Sequence, residues 1–247
     1  MDLSVTLFLR APNENLTSSF MEPPLWRPKI DDYVLTHGYG QSLRLDAHAD
    51  VPILTGNNKD ESGASTSPGF MVASYKKLYM ELFGDFAEEF FTLYPGTNET
   101  EANENSNELF RDLSRVGTWR WAVDWAAGGA KSDVYTYYWT HTPAEDSTSG
   151  AYHGSELWYV FNNIPYSDYS NVTWTSRDYK IESQMSEYWA NFIKTGNPNG
   201  DGLTHFPPTT KSKQTMWLGN SWGAGPLSNS EARIEFIKRW EATLKQW

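Results

Sequence analysis

Two strand-like segments separated by a long stretch of helical periodicity constrain this chain more than any other feature. Residues 51–56 form a short apolar run opened by a proline, and residues 133–139 are rich in β-branched and aromatic side chains. Between them, apolar residues recur at three- and four-residue steps over 71–93, and a second helix is predicted over 107–127. Strands separated by long helices predict an α/β fold with a largely parallel sheet.

The rest of the sequence continues this alternation but supplies few further strands. A helix is predicted over 178–194, a last strand over 214–218 and a closing helix over 229–246. Residues 1–45 are predicted to form loop and short turns, and the polar segment 97–107 is either a surface loop or the start of the next helix. Three strands are few for an α/β protein of 247 residues, which indicates an incomplete sheet.

Composition and charge argue against several classes of partner. Neither a repeat nor a linker divides the chain, so a single unit is predicted over residues 1–247. The net charge of −11 opposes binding to nucleic acid and to anionic membrane surfaces. No stretch approaches the roughly 18 apolar residues of a membrane span. Aromatic residues make up 15% of the chain, which indicates either an aromatic-rich core or an apolar ligand site.

The absence of cysteine excludes disulfides and thiolate metal sites within the chain. Three N-x-S/T sequons, at Asn15, Asn98 and Asn171, are compatible with secretion and glycosylation, although such triplets also arise by chance. Residues 1–9 do not resemble a signal peptide, because they lack a basic region and their apolar run is short. If the protein is exported, we expect the export signal to lie elsewhere.

Two loops carry candidate catalytic side chains. Residues 55–63 lie at the carboxyl end of the first predicted strand, and residues 150–161 place a histidine, His153, in a loop after the second. Catalytic groups of open α/β sheets collect beyond such strand ends. A carboxylate and a histidine at one sheet edge could form the acid–base pair of a serine hydrolase. Taken alone, however, an isolated histidine is more often a surface or structural residue, and an acidic loop is usually solvated.

Four segments resemble, in the same order, those of type-B carboxylesterases, the cholinesterase and lipase branch of the α/β-hydrolase family. They are a Pro-x-x-Asp segment at 26–32 (WRPKIDD), a strand-and-acid motif at 52–62 (PILTGNNKDES), a histidine motif at 152–161 (YHGSELWYVF), and a late helix with its stop at 188–199 (YWANFIKTGNPN). The overall pattern resembles the secreted fungal esterases of this family.

The resemblance implies roles for particular residues. Glu61 matches the acid of the Ser–Glu–His triad and His153 matches its general base. Glu156 matches a glutamate that the family keeps as a buried structural partner, so we do not interpret it as a metal ligand. The implied chemistry needs no cofactor and no metal. The implied fold is the C-terminal part of an α/β-hydrolase, with the N-terminal half of the sheet outside this chain.

The nucleophilic serine of the family is not found where it is expected. In α/β-hydrolases the order along the chain is serine, acid, histidine, and the serine occupies a Gly-x-Ser-x-Gly elbow. Only 60 residues precede Glu61, and they contain no elbow. The one match, residues 219–223 (GNSWG), would give the wrong order, and the Gly-Ala-Gly-Pro that follows Ser221 cannot begin a helix promptly. We therefore expect an N-terminal half to supply the serine, and the chain alone to be inactive.

Several interpretations remain open at this stage. The predicted function is hydrolysis of a small-molecule carboxylic ester, with Trp119, Trp121 and Tyr152 as candidate pocket residues that ordinary core packing also explains. One alternative is a non-catalytic, cholinesterase-like module that binds another protein. Another is a truncated pseudoenzyme. Retention of both Glu61 and His153 favours an enzyme lineage, and secretion is the expected location of the parent protein.

Overall fold

A computed structural model describes residues 30–61, 71–143, 149–167 and 173–244, which form an open sheet and the helices around it. The strands are β1 (Ile53–Asn58), β2 (Val134–Trp139), β3 (Thr215–Leu218) and β4 (Gly223–Gly225). The helices are α1 (Tyr39–Arg44), α2 (Val72–Phe83), α3 (Ala87–Leu93), α4 (Glu99–Gly128), α5 (Leu157–Val160), α6 (Ser176–Thr195) and α7 (Glu231–Glu241).

The sheet is mostly parallel, as the alternation of strands and helices predicts. Its order is β1-β2-β3-β4, and β1 pairs with β2 so that Ile53 lies opposite Val134 and Asn58 opposite Trp139. β2 and β3 are also parallel, whereas β4 pairs antiparallel with β3. The sequence did not predict β4, because Gly-Ala-Gly carries little strand propensity. The predicted α/β class is confirmed. Within the described ranges, β1 pairs along one side only.

Two helical regions differ from the prediction. The helix predicted over 71–93 is divided into α2 and α3 by a 3₁₀ turn, Gly84–Phe86. Gly84 begins this turn with a φ of +52°, a conformation that glycine adopts without the steric cost of a side chain. The prediction of loop and turns over 1–45 was wrong for α1, a short helix without the periodic apolar run that signals longer ones.

The polar segment 97–107 is the beginning of α4 rather than a surface loop. Asn98 is its N-cap, and the side-chain oxygen of Asn98 accepts the backbone N–H of Glu101 at 2.9 Å. Glu99 and Glu101 lie in the first turn, where negative charge is favoured by the helix dipole. Capping and charge therefore start the helix eight residues earlier than its apolar pattern does.

Helix α4 lies along the sheet and runs in the opposite direction to β1. Near the carboxyl end of β1, the hydroxyl of Thr118 donates to the side-chain oxygen of Asn57 at 2.7 Å. About two turns later, Trp125 packs with Val134 and Ile53 at the amino ends of the strands. Thr118 on α4 therefore lies closer to the carboxyl edge of the sheet than Trp125 does.

Aromatic side chains fill the core. One cluster joins α2, α3, α4 and α7, and its fully buried rings are Tyr75, Tyr79, Phe90, Tyr94 and Phe236. A second cluster lies between the sheet and α6, and its fully buried rings are Trp139, Tyr159, Tyr188 and Phe206. Much of the aromatic surplus in the sequence is thus used in packing.

Candidate active site

The parallel pairing continues beyond the ends of β1 and β2 and brings the two candidate loops together. The N–H of Asp60 donates to the carbonyl of Ala151 at 3.0 Å, and Asp60 forms an isolated parallel bridge with Tyr152. The next residue on each side is Glu61 and His153. The N–H of His153 donates to the carbonyl of Glu61 at 3.3 Å, so the backbone already holds the two side by side.

The side chains of Glu61 and His153 form a direct hydrogen bond. Nδ1 of His153 lies 2.7 Å from Oε2 of Glu61, while Oε1 of Glu61 accepts the backbone N–H of Asn58 at 2.6 Å. Because an ionised carboxylate can only accept, the proton of a neutral His153 is assigned to Nδ1. The lone pair is then on Nε2, the nitrogen that faces away from Glu61.

This pair is accessible, and its electrostatics favour a protonated imidazole. The hydrogen bond that His153 donates to Glu61 raises the pKa of His153, and the opposing effect of burial is smaller. The side chains of His153 and Glu61 are 85% and 36% exposed. An incoming group can therefore reach Nε2 of His153 and pass a proton to it.

Asn58, which the sequence analysis did not single out, links the strand end to the histidine loop. Its buried side-chain amide donates to the carbonyl of Tyr152 at 2.7 Å and to Oε2 of Glu156. Glu156, three residues after His153, is therefore placed as a structural partner of β1. The one sequence signal for Asn58 is its position as a polar residue two places beyond the predicted strand 51–56.

The three candidate pocket aromatics lie in different places. Tyr152 belongs to the loop of His153, where its carbonyl is bound by Asn58. Trp119 packs against the helical cluster of α2, α3 and α7, with the ammonium of Lys213 5.4 Å from its ring centroid. Trp121 packs beside Trp125 at the amino ends of the strands. The structure brings Tyr152 alone of these to the Glu61–His153 edge.

Some predicted features lie partly or wholly outside the described residues. Asn15, Asn171 and residues 26–29 of the Pro-x-x-Asp segment are among them. Asn98 is described, and it is an exposed helix cap.

Ser221 lies in the turn between β3 and β4. A nucleophile elbow needs a strand before the serine and a helix after it. Here the element after Ser221 is a strand antiparallel to the one before it. This geometry argues against Ser221 as a nucleophile, in agreement with the sequence analysis.

A second histidine–carboxylate pair, which the sequence analysis missed, is buried. Nε2 of His141 lies 2.8 Å from Oδ1 of Asp178, and Nδ1 of His141 lies 2.9 Å from the side-chain oxygen of Asn220. The hydroxyl of Tyr159 donates to Asp178 Oδ1 at 2.8 Å, and the N–H of Thr175 donates to Oδ2 at 2.7 Å. Burial alone would raise the pKa of Asp178, but these hydrogen bonds outweigh burial and lower it.

Neither a metal-ion site nor a membrane-spanning helix is found in the part of the chain that the structure describes. Across the described ranges, no three His, Cys, Asp or Glu side chains are grouped so that they could hold a metal ion. In the same part of the chain, no helix is both long enough and apolar enough to cross a membrane.

Comparison with known proteins identifies the family. The profile of the Carboxylesterase family matches residues 3–225. The chain is 28% identical to fumonisin B1 esterase of Sphingopyxis macrogoltabida, over 85% of this chain and 40% of that protein. It is also 28% identical to carboxylesterase 5A of Felis catus, over 92% of this chain and 45% of that protein. It is 35% identical to acetylcholinesterase of Gallus gallus, over 51% of this chain and 20% of that protein.

The chain thus spans less than half the length of these relatives. The match includes both loops of the candidate site, since they lie within residues 3–225. On the profile match, together with a mostly parallel α/β sheet that presents a glutamate and a histidine at its carboxyl edge, this chain belongs to the carboxylesterase family.

Proposed function

We propose that this chain supplies the acid and the general base of a carboxylic ester hydrolase of the Ser–Glu–His type. Glu61 is the acid and His153 the base. The observation that supports this best is the 2.7 Å contact between Nδ1 of His153 and Oε2 of Glu61, made at an exposed sheet edge with Nε2 left accessible. A carboxylate on one ring nitrogen and an open position at the other is the arrangement that proton transfer from a hydroxyl requires.

Each half of the reaction uses the same two side chains. Nε2 of His153 takes the proton of a serine hydroxyl as the oxygen attacks the ester carbonyl, and then returns the proton to the departing alcohol. Water, deprotonated in the same way, attacks the acyl-enzyme; the acid is released, and His153 returns the proton to the serine oxygen. Glu61 keeps the proton of neutral His153 on Nδ1 and stabilises the imidazolium. The N–H of Asn58 holds the second oxygen of Glu61 and so fixes the orientation of the carboxylate.

The serine and the oxyanion hole are proposed to come from an N-terminal part of the same hydrolase. Three observations support this partner: β1 pairs along one side only within the described ranges, His153 is 85% exposed, and the chain spans less than half the length of its relatives. A parallel strand added beside β1 would bring its carboxyl end to the sheet edge that carries Glu61 and His153. Exposed Leu157 and Phe161, close in sequence to His153, would be covered at the same time.

The substrate is proposed to be a small carboxylic ester. Tyr152 is the strongest of the three candidate pocket aromatics because it lies in the loop of His153, while Trp119 and Trp121 would act only through the packing of α4. Secretion of the parent protein, with a glycan on exposed Asn98, is part of the same proposal. A sugar on the amide nitrogen of Asn98 would leave its oxygen free to cap α4.

Hydrolysis of a p-nitrophenyl ester tests the proposal. The chain is assayed alone and mixed with the N-terminal part of a whole-length relative that carries the elbow serine. We expect no turnover from the chain alone, turnover on mixing, and loss of that turnover in His153→Ala and in Glu61→Gln. Turnover by the chain alone that His153→Ala abolishes would contradict the proposed division of the site. Association of the two parts without any turnover would instead favour the non-catalytic module.

A further inference from the structure

Asp60, the residue before Glu61, is buried between the loops that carry Glu61 and His153. Its Oδ2 accepts the N–H of Ala151 at 3.1 Å, and its own N–H donates to the carbonyl of Ala151 at 3.0 Å. Its bridge partner Tyr152 is adjacent to His153. The side chain of Asp60 is only 5% exposed. This carboxylate therefore fastens one loop to the other within two residues of the hydrogen bond between Glu61 and His153.

The charge of Asp60 is balanced by Arg111 of α4. Nε and Nη2 of Arg111 both donate to Oδ1 of Asp60, at 3.0 and 2.5 Å. The two bonds orient the carboxylate so that its other oxygen meets the backbone of Ala151. The side chain of Arg111 is 17% exposed, so little water is available to replace it. Without Arg111, the buried carboxylate of Asp60 would lose the opposite charge beside it, and its contact with Ala151 would be weakened.

Arg111 is itself supported by a run of alternating charges that leads away from the site. Arg111 contacts Glu108 at 3.5 Å, Glu108 contacts Arg115 at 3.1 Å, and Arg115 contacts Asp112 at 2.7 Å. Asp112, which is fully buried, contacts Arg233 of α7 at 3.5 Å. Every charged side chain in this run contacts a side chain of opposite charge. The run fixes the position of the Arg111 side chain on α4 and, through it, the position of Asp60.

We propose that Arg111 is a positioning residue for Glu61 and His153, acting through Asp60. It keeps the two loops in the register that forms the bond between Nδ1 of His153 and Oε2 of Glu61. The catalytic meaning of this role rests on the function proposed above, but the positioning itself can be tested without turnover. The pocket aromatics and the match to the family give no indication of Arg111. Its role follows from the contacts of Asp60.

The titration of His153 separates positioning from simple electrostatics, because the two effects have opposite signs. Removal of the positive charge of Arg111 by itself favours a protonated imidazole and raises the pKa of His153. Loss of positioning weakens the hydrogen bond that His153 donates to Glu61, which is the main cause of the raised pKa of His153. The pKa of His153 then falls toward its ordinary value of about 6.5.

The experiment is a pH titration of the chain labelled with ¹³C and ¹⁵N in histidine. The chain has five histidines, so the signal of His153 is assigned by its loss in His153→Gln. We expect Arg111→Met to lower the pKa of His153 and to broaden its Nδ1–H signal. Arg111→Lys, which keeps the charge but not the two-pronged contact, should lower the pKa by less. The matched control is Arg120→Met. Arg120 lies on the same helix as Arg111 and forms a partly buried ion pair, 3.0 Å long, with Glu241 of α7. The control should leave His153 unchanged.

Each outcome bears on the proposal. A pKa of His153 in Arg111→Met equal to or above the wild-type value overturns it, as does an equal fall in Arg120→Met. If Arg111→Met does not fold, the result for Arg111→Lys decides. Lysine keeps the positive charge, so any change in the pKa of His153 comes from lost positioning. An unchanged pKa of His153 in Arg111→Lys would then overturn the proposal. An assembled hydrolase without turnover would refute the proposed function while leaving this result intact.

Discussion

Two histidine–carboxylate pairs lie at the carboxyl edge of the same sheet, and they differ in burial rather than in geometry. His153 and Glu61 are joined at 2.7 Å, and His141 and Asp178 at 2.8 Å. The side chains of the first pair are 85% and 36% exposed, whereas those of the second are 8% and 1% exposed. The contact between histidine and carboxylate therefore does not by itself distinguish the two pairs.

The second ring nitrogen distinguishes the two pairs. Nδ1 of His141 is bound to the side-chain oxygen of Asn220, whose orientation is fixed because its amide nitrogen donates to the carbonyl of Thr140 at 2.7 Å. Both nitrogens of His141 are thus engaged inside the protein. Nε2 of His153 is not used by Glu61 and is open to an incoming hydroxyl. An acid–base role requires a free nitrogen as well as an orienting carboxylate.

The largest expected difference is in activity. In the proposed hydrolase, completed by a serine-bearing part, His153→Ala should lower kcat/KM by on the order of 10⁶-fold, because the proposed general base is lost. In the chain alone, where the His153 side chain is 85% exposed, the free energy of unfolding should change by less than about 0.5 kcal/mol. Steady-state turnover of a p-nitrophenyl ester and urea unfolding measure the two quantities.

His141→Gln is the matched control for that experiment. It should destabilise the fold while the molecules that remain folded keep kcat/KM within a few-fold of wild type. A fall comparable to that of His153→Ala, measured on protein shown to be folded, would mean that burial does not separate the roles of the two histidines.

Stability should show the reverse order. Asp178→Asn removes the charge that binds His141, Tyr159 and the cap of α6 in a buried site, and should cost about 3–5 kcal/mol of unfolding free energy. Glu61→Gln, at an exposed pair, should cost less than about 1 kcal/mol. Urea unfolding of both variants measures the difference. Equal costs would show that exposure is a poor guide to which pair supports the fold.

The sequence predicted the regular parts of the molecule well. Strands β1, β2 and β3 lie within two residues of their predicted bounds, since each is a compact apolar or aromatic run between polar loops. β4 and α1 were missed because they are short and have no period. The beginning of α4 was ambiguous, because capping by Asn98 and charge rather than apolar spacing start this helix.

The candidate site was predictable only where a continuous motif carries it. Glu61 and His153 each lie in a recognisable segment, and their contact follows from parallel pairing of the strands before them. The contact of Arg111 with Asp60 spans 51 positions, and that of His141 with Asp178 spans 37. Neither leaves a local pattern, because the residues meet only after the helices pack on the sheet.

A smaller effect on stability is expected at the beginning of α6, where Asp178 of the buried pair lies. Thr175 and Asp178 form a capping box, in which the Thr175 hydroxyl also donates to Asp178 Oδ2 at 2.5 Å. Thr175→Ala should cost about 1 kcal/mol of unfolding free energy, and Thr175→Ser should recover most of it. Urea unfolding again supplies the measurement. If Ser fails to recover the loss, the methyl group rather than the cap is responsible, and the pair is supported by packing.

The smallest expected effect is in pH dependence, where the two pairs should respond in opposite directions. The pKa of His153 is raised, so its contribution to stability is fully present below about 6.5 and is lost as pH rises through the raised value. The pKa of Asp178 is lowered, so its contribution is present above about 3.9 and is lost as pH falls through the lowered value. Because His153 is exposed, its part should remain below about 1 kcal/mol.

Urea unfolding of the wild type, Glu61→Gln and Asp178→Asn across a range of pH resolves the two contributions. Glu61→Gln should flatten the decline of unfolding free energy above pH 6.5 and leave the acid limb unchanged, since the carboxylate that raises the pKa of His153 is gone. Asp178→Asn should flatten the acid limb and leave the alkaline limb. A variant that alters both limbs would show that the two pairs are coupled through the sheet edge, and the division into a chemical and a structural histidine would then fail.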